Sequence, residues 1–69
     1  RMNKEKLRAY LEKDYAFKKE LLERIKKLRD RACLDESLYT EYSKEIYLTE
    51  GELVYNSNIL SKLDAGDFE

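Results

Sequence analysis

Proline, histidine and tryptophan are absent from the sequence, which has only two glycines and one cysteine. Without proline and with little glycine, few positions can interrupt a helix. One cysteine cannot form a disulfide within the chain, and small secreted domains usually need several, so we expect a reducing, cytoplasmic compartment. No stretch approaches the roughly 20 apolar residues of a membrane span, and no apolar run follows a basic amino end as in a signal peptide. We expect Met2 to be the initiator methionine and Arg1 not to belong to the native chain.

The missing residue types also remove most catalytic chemistry. Without histidine there is no imidazole base, no Ser-His or Cys-His pair, and no histidine-containing metal site. The lone Cys33 cannot form a zinc cage within one chain, and the isolated Gly51 and Gly66 do not make a phosphate-binding loop. We therefore predict a protein that is not an enzyme, with no catalytic residue, metal, cofactor, small-molecule substrate or membrane partner.

What is present favours helices. The 69 residues are 42% charged and 42% hydrophobic, and eleven leucines stand against three isoleucines and one valine. Leucine, lysine, glutamate and arginine are strong helix formers, whereas β-branched residues are the usual material of sheets. The composition predicts an all-α fold in a single domain covering residues 1–69.

The first predicted helix runs from about residue 3 to residue 33, with Asn3 as its N-cap. At about 100° per residue, its apolar residues fall in one broad stripe: Leu7, Tyr10, Leu11, Phe17, Leu21, Leu22, Ile25, Leu28 and Ala32. Asp14 and Lys18 lie inside this stripe. They are either a buried pair that fixes the register or part of a frayed, hydrated edge. We favour the edge, because buried ion pairs are weak evidence for stability.

The second predicted helix spans about residues 36–63, followed by a loose tail at residues 64–69. From Tyr39 onward, residues at the a and d positions of a heptad repeat form a narrow stripe: Tyr39, Tyr42, Ile46, Thr49, Leu53, Asn56, Leu60 and Leu63. Gly51 falls outside it, so its helix penalty of about 1 kcal/mol need not break the segment.

The segment between the helices decides the architecture. Asp35 is a good N-cap, and Leu34 with Tyr39 has the spacing of a hydrophobic staple, so we predict a turn at about residues 34–36 and an antiparallel helical hairpin. The heptad frame nevertheless continues through this segment, and one long helix in a coiled-coil dimer is the alternative. The predicted hairpin seam consists of Leu21, Ile25, Leu28, Tyr39, Tyr42, Ile46, Leu53 and Leu60.

The net charge of −1 hides a strong asymmetry. Residues 1–33 contain twelve Lys or Arg against six Asp or Glu, whereas residues 34–69 contain two against nine. Basic residues border the apolar stripe of the first helix: Lys6, Lys13, Arg24 and Arg31 on one side, Arg8, Lys19 and Lys26 on the other. Glutamates border the second seam, at Glu36 and Glu50 and at Glu45 and Glu52. We expect basic borders to face acidic ones, which favours an antiparallel pairing.

Apolar residues remain on the second helix after the seam is assigned: Tyr47, Leu48, Val54, Tyr55 and Ile59. A hairpin covers only one side of each helix, and so small a chain rarely has enough core to stand alone. We predict that these five residues form an oligomer or partner interface. The simplest assembly is a homodimer in which two hairpins make a four-helix bundle.

The sequence therefore predicts a small non-catalytic protein-interaction module: an inhibitor, adaptor or assembly factor that self-associates through its acidic C-terminal helix and binds a larger macromolecule. Residues 5–11 and 22–29 resemble in texture the leading helix of small phage-encoded transcription regulators, without a diagnostic motif. The alternative function is thus a phage- or mobile-element-type regulator that contacts nucleic acid through its basic N-terminal helix.

Overall fold

The computed structural model describes residues 3–66, which form two α-helices packed side by side. Helix α1 spans Lys4–Arg31 and helix α2 spans Glu36–Asp64. They run antiparallel in a rod-shaped hairpin measuring 50 × 18 × 15 Å. The predicted all-α helical hairpin is confirmed, and the alternative of one uninterrupted helix is wrong. Within residues 3–66, both helices carry too much polar character to span a bilayer.

Both predicted N-caps form. The side-chain oxygen of Asn3 accepts the backbone N–H groups of Glu5 at 2.8 Å and Lys6 at 3.2 Å. The Asp35 carboxylate accepts the N–H of Leu38 at 3.0 Å. Each bond satisfies donors that the first turn of a helix leaves without a partner, which is why α1 and α2 begin where they do.

The connection between the helices is longer than predicted. Helix α1 ends at Arg31, two residues early, and the N–H of Ala32 donates to the carbonyls of Leu28 and Arg29 at 3.1 and 3.0 Å. The predicted staple to Tyr39 does not form, because Leu34 is 99% exposed. Cys33 is likewise exposed.

Helix α2 ends one residue later than predicted, at Asp64. The N–H of Ala65 donates to the Ser61 carbonyl at 3.0 Å, and the N–H of Gly66 donates to the Leu63 carbonyl at 3.1 Å. Gly66 has φ of 79°, the left-handed conformation that glycine adopts readily after a helix. The predicted loose tail is thus helix and turn through residue 66, and residues 67–69 lie outside the described part, as do Arg1 and Met2.

The core lies along the line of contact between the helices. Leu22, Ile25 and Ile46 form its centre, with Leu21, Tyr42 and Leu53 packed against them. Thr49 and Asn56, at heptad positions of α2, are also buried. The hydroxyl of Thr49 donates to the Glu45 carbonyl at 2.8 Å, so its burial leaves no unpaired donor.

Candidate functional site

The residues predicted for the hairpin seam lie at or near the contact between the helices. Ile25 and Ile46 are buried, while Leu21, Leu28, Tyr42, Leu53 and Leu60 are partly buried. Tyr39 is 40% exposed, since it lies in the first turn of α2 beside the connection. Its ring centroid is 5.9 Å from the guanidinium carbon of Arg29, within the range of a cation–π contact.

Four polar side chains meet across the helix pair and form what we call the polar cluster: Asp14, Lys18, Glu52 and Asn56. The Asn56 amide donates to the Asp14 carboxylate at 2.8 Å. The Lys18 ammonium lies 2.8 Å from Asp14 and 3.1 Å from Glu52. The preference for a frayed, hydrated edge was therefore wrong. Asp14 and Lys18 retain only 24% and 22% side-chain exposure and are bonded to the opposite helix.

The cluster shifts the proton affinities of its two central groups. Hydrogen bonds from Lys18 and then from Asn56 lower the pKa of Asp14 below its ordinary value of 3.8, and its partial desolvation opposes this. Hydrogen bonds to Asp14 and then to Glu52 raise the pKa of Lys18 above its ordinary value of 10.5. Both shifts favour the charged forms, as expected for a hydrogen-bonded ion pair.

Four of the five predicted interface residues are widely exposed and surround Gly51. Tyr47, Leu48, Val54 and Tyr55 are between 58% and 77% exposed and, with Gly51, form what we call the outer face of α2. A β-carbon added to Gly51 would meet no atom within 4 Å apart from its chain neighbours and the adjacent backbone of its own helix. Ile59, the fifth residue, is only partly exposed.

Two aromatic residues of α1 that we assigned to its buried stripe are exposed instead. Tyr10 is 66% exposed and Phe17 is 62% exposed. With Lys13 and Asp14 they line a shallow pocket. A single neighbouring helix covers only a narrow side of α1, and the apolar stripe is wider than that side. The excess width of the stripe was the sequence feature that could have identified them.

The two helices bring a second apolar surface together beside the polar cluster. On α1, Tyr10 and Phe17 lie one turn to either side of Asp14 along the helix. On α2, Tyr55 and Ile59 each lie three residues beyond a cluster member. Because the cluster joins the helices along one edge of their contact, these residues flank the same edge. We call this surface the groove face; its residues are Tyr10, Phe17, Leu21, Tyr55 and Ile59.

The basic border next to the groove face does not reach α2, contrary to our expectation. Lys6, Lys13, Arg24 and Arg31, which we call the basic row, are exposed and form no ion pair within residues 3–66. Lys13 illustrates why, because it lies three residues after Tyr10 and four before Phe17, further round α1 from the seam. Tyr10 and Phe17 thus separate Lys13 from the glutamates of α2.

Among residues 3–66, the other basic border, that of Arg8, Lys19 and Lys26, makes one ion pair with α2. Arg8 near the start of α1 pairs with Asp64 at the end of α2, an acidic residue outside our predicted borders. Within residues 3–66, the favourably spaced pairs of Glu20 with Arg24 and of Glu23 with Lys27 do not form. Such exposed pairs stabilise little, because two long side chains must be held in one geometry.

Within the described residues, no group of three or more histidine, cysteine, aspartate or glutamate side chains is arranged to hold a metal ion. Comparison of the chain with protein-family models, with curated proteins and with solved structures finds no match.

Proposed function

We propose that the protein is a small non-catalytic interaction module, which self-associates through the outer face of α2 and acts by binding a larger macromolecule. The observation that supports this most strongly is the exposure of Tyr47, Leu48, Val54 and Tyr55 around Gly51. Contiguous apolar patches on small soluble proteins mark interaction sites, and tyrosines are enriched where such sites bind. An inhibitor, adaptor or assembly factor would use its surfaces in this way.

The outer face of α2 is self-complementary, which favours a second copy of the chain as its occupant. Tyrosines lie four residues before and four residues after Gly51, and Leu48 and Val54 lie three residues before and after it. A two-fold axis at Gly51 would place Tyr47 against the second copy's Tyr55, and Leu48 against its Val54. Such an interface uses the same patch on both copies, as two-fold dimers require.

Two further features support this antiparallel contact. The open space over Gly51 would let the two α2 backbones approach closely, because glycine has no side chain to separate them. The same symmetry brings Lys62 of one copy within one residue of the level of Glu41 of the other, which offers an attractive charge pair. The dimer would be a four-helix bundle in which the two α2 helices meet.

Sedimentation equilibrium on the Val54→Asp variant tests the dimer. One copy has a mass of 8.3 kDa, so the wild-type protein should sediment at about twice that mass and the variant at that mass. The carboxylate introduced at position 54 would have to be buried in the interface without a partner, which is strongly unfavourable.

Ala16→Asp is the matched control, since Ala16 is exposed on α1 away from both apolar surfaces. It introduces the same charge and should leave the dimer intact. A wild-type protein that stays monomeric at high micromolar concentration would contradict self-association.

One observation favours the alternative of a nucleic-acid-binding regulator, namely that the basic row of α1 forms no ion pair with any residue between 3 and 66. Contacts of these four cations with phosphates would release counterions, so binding to duplex DNA should weaken steeply with added salt. Titration of a labelled duplex at two salt concentrations measures this. Affinity that is absent, or insensitive to replacement of Lys13 by glutamate, would exclude the alternative.

A further inference from the structure

We infer that the groove face binds an acidic amphipathic helix of a partner protein, with its apolar side against Tyr10, Phe17 and Ile59 and its acidic flank against the basic row. This inference names the partner class for the proposed function and rests on it. Of the groove face, only Tyr55 also belongs to the outer face of α2, the surface assigned to self-association.

The apolar part of the surface has the length that a helix requires. The contacts of Asp14 with Asn56 and of Lys18 with Glu52 fix the register, since both pairs of residue numbers add up to 70. By this register Tyr10 lies within one residue of the level of Ile59, and Phe17 within two residues of the level of Tyr55. Each aromatic ring on α1 thus has an apolar neighbour across the groove. The two pairs lie about two helical turns apart along the hairpin. A ligand helix with apolar residues at i, i+3, i+4 and i+7 matches this spacing.

The charges around the groove determine which sign of charge the ligand should carry. On the α1 side its rim is the basic row, whose members form no ion pair within the described residues. Lys62, three residues after Ile59, adds a cation on the α2 side. The carboxylates of the floor, Asp14 and Glu52, are already bonded to Lys18. A ligand with acidic flanks would thus form ion pairs with these cations, and this charge complementarity would favour it over a neutral or basic ligand.

The same features argue against other occupants. A second copy of the chain would bring its own basic row against this one, and like charges repel across an interface. Duplex DNA offers phosphates to the basic row, but its stacked bases expose only scattered thymine methyl groups to the rings of Tyr10 and Phe17. A bilayer would require the polar cluster beside these rings to approach hydrocarbon, which is costly for charged groups.

Fluorescence anisotropy on the full chain provides the test, with a labelled 21-residue peptide as the probe. The peptide carries leucine along one helical face and glutamate on both flanks, and its counterpart has lysine in place of every glutamate. We expect the glutamate peptide to bind at least tenfold more tightly than the lysine peptide. The double variant Lys13→Glu with Arg24→Glu should reverse this order, and Phe17→Ser should weaken binding of the glutamate peptide at least tenfold.

The matched control is Lys19→Glu with Lys27→Glu, which makes the same change in charge at exposed positions outside the groove face and should preserve the tenfold preference. Circular dichroism shows whether each variant keeps its helices. The inference is wrong if folded wild-type protein binds both peptides equally or neither. It is also wrong if duplex DNA or anionic vesicles, rather than the glutamate peptide, lose affinity in the Lys13 and Arg24 variant.

The result can be separated from self-association. Val54→Asp changes only the outer face of α2, so the monomer it produces should retain the preference for the glutamate peptide. Loss of the dimer with the preference intact supports the inference. A dimer that forms while the glutamate peptide has no advantage overturns the inference and leaves self-association standing.

Discussion

The side-chain amide of Asn56 donates a 2.8 Å hydrogen bond to the carboxylate of Asp14 on the opposite helix. Asn56 is 4% exposed, so without this bond its amide would be buried with no partner for the donated hydrogen. Sliding either helix by a heptad would separate the two side chains and remove Lys18 from Glu52 as well. The polar cluster therefore favours one register of an otherwise repetitive apolar contact, a recognised use of a polar residue at such a position.

The cluster makes the stability of the hairpin depend on pH. The pKa of Asp14 is lower in the folded chain than its ordinary 3.8, so its contribution is fully present above that value and is lost as pH falls through the folded pKa. We expect Asp14→Asn to lower the urea midpoint at pH 7. The difference from the wild type should shrink progressively as pH falls below about 4.

Asp30→Asn serves as the control for this pH series. Asp30 is exposed and lies outside the cluster, at 3.5 Å from its neighbour Arg29. The urea midpoint of Asp30→Asn should differ little from that of the wild type throughout the pH series. A deficit of Asp14→Asn that stays constant down to pH 2 would show that the charge of Asp14 is not what stabilises the fold.

Much of α2 was predictable because its heptad repeat is narrow. Of the predicted stripe, the structure buries Ile46, Thr49, Asn56 and Leu63. The helix ends were predictable to within two residues because Asn3, Asp35 and Gly66 have local functions that depend on few neighbours.

The groove face was not predictable in the same way. Tyr10 and Phe17 share the periodicity of Leu11 and Leu22, and only the position of α2 determines which of them are covered. The partners of Asp14 and Lys18 depend on the register, which the length of the connection sets. Ending α1 two residues early changes this length, so the sequence could suggest the cluster without identifying its members across the hairpin.

Two leucines of opposite exposure provide a test of the core. Leu63 is 1% exposed, whereas Leu34 in the connection is 99% exposed. We expect Leu63→Ala to lower the free energy of unfolding by about 2–5 kcal/mol, because it removes buried apolar atoms and leaves a cavity. Leu34→Ala should change it by less than about 0.5 kcal/mol. Equal urea midpoints for the two variants would contradict the burial of Leu63.

The connection suggests how the hairpin could be opened. Asp35 occupies a d position of the heptad frame that otherwise continues from α1 into α2, and its carboxylate caps α2. Asp35→Leu would remove the cap, at about 0.5–2 kcal/mol, and complete the apolar repeat. We expect a larger share of the chain to form one continuous helix, about 90 Å long for roughly 60 residues. Two such helices could pair antiparallel and keep the same contacts between α1 and α2.

Small-angle X-ray scattering measures this change, since the hairpin is 50 Å long. Asp30→Leu makes the same substitution at an exposed position of α1 that is not on the seam, so it should leave the maximum dimension unaltered. If Asp35→Leu scatters as the wild type does, the turn is specified elsewhere, for example by the backbone bonds of Ala32.

Gly51→Ala should affect the monomer and the dimer in opposite directions. The open space over Gly51 accepts a methyl group, and alanine favours the helix by about 1 kcal/mol over glycine. Chemical denaturation at a concentration where the protein is monomeric should therefore show a more stable chain. In the proposed dimer the two methyl groups would meet at the two-fold axis and hold the α2 backbones apart, so the dimer dissociation constant should increase.

Ser57→Ala is the control, because Ser57 is an exposed position of α2 outside the outer face. It should stabilise the helix slightly without changing the dimer dissociation constant. If Gly51→Ala tightens the dimer, the two copies do not meet at this glycine.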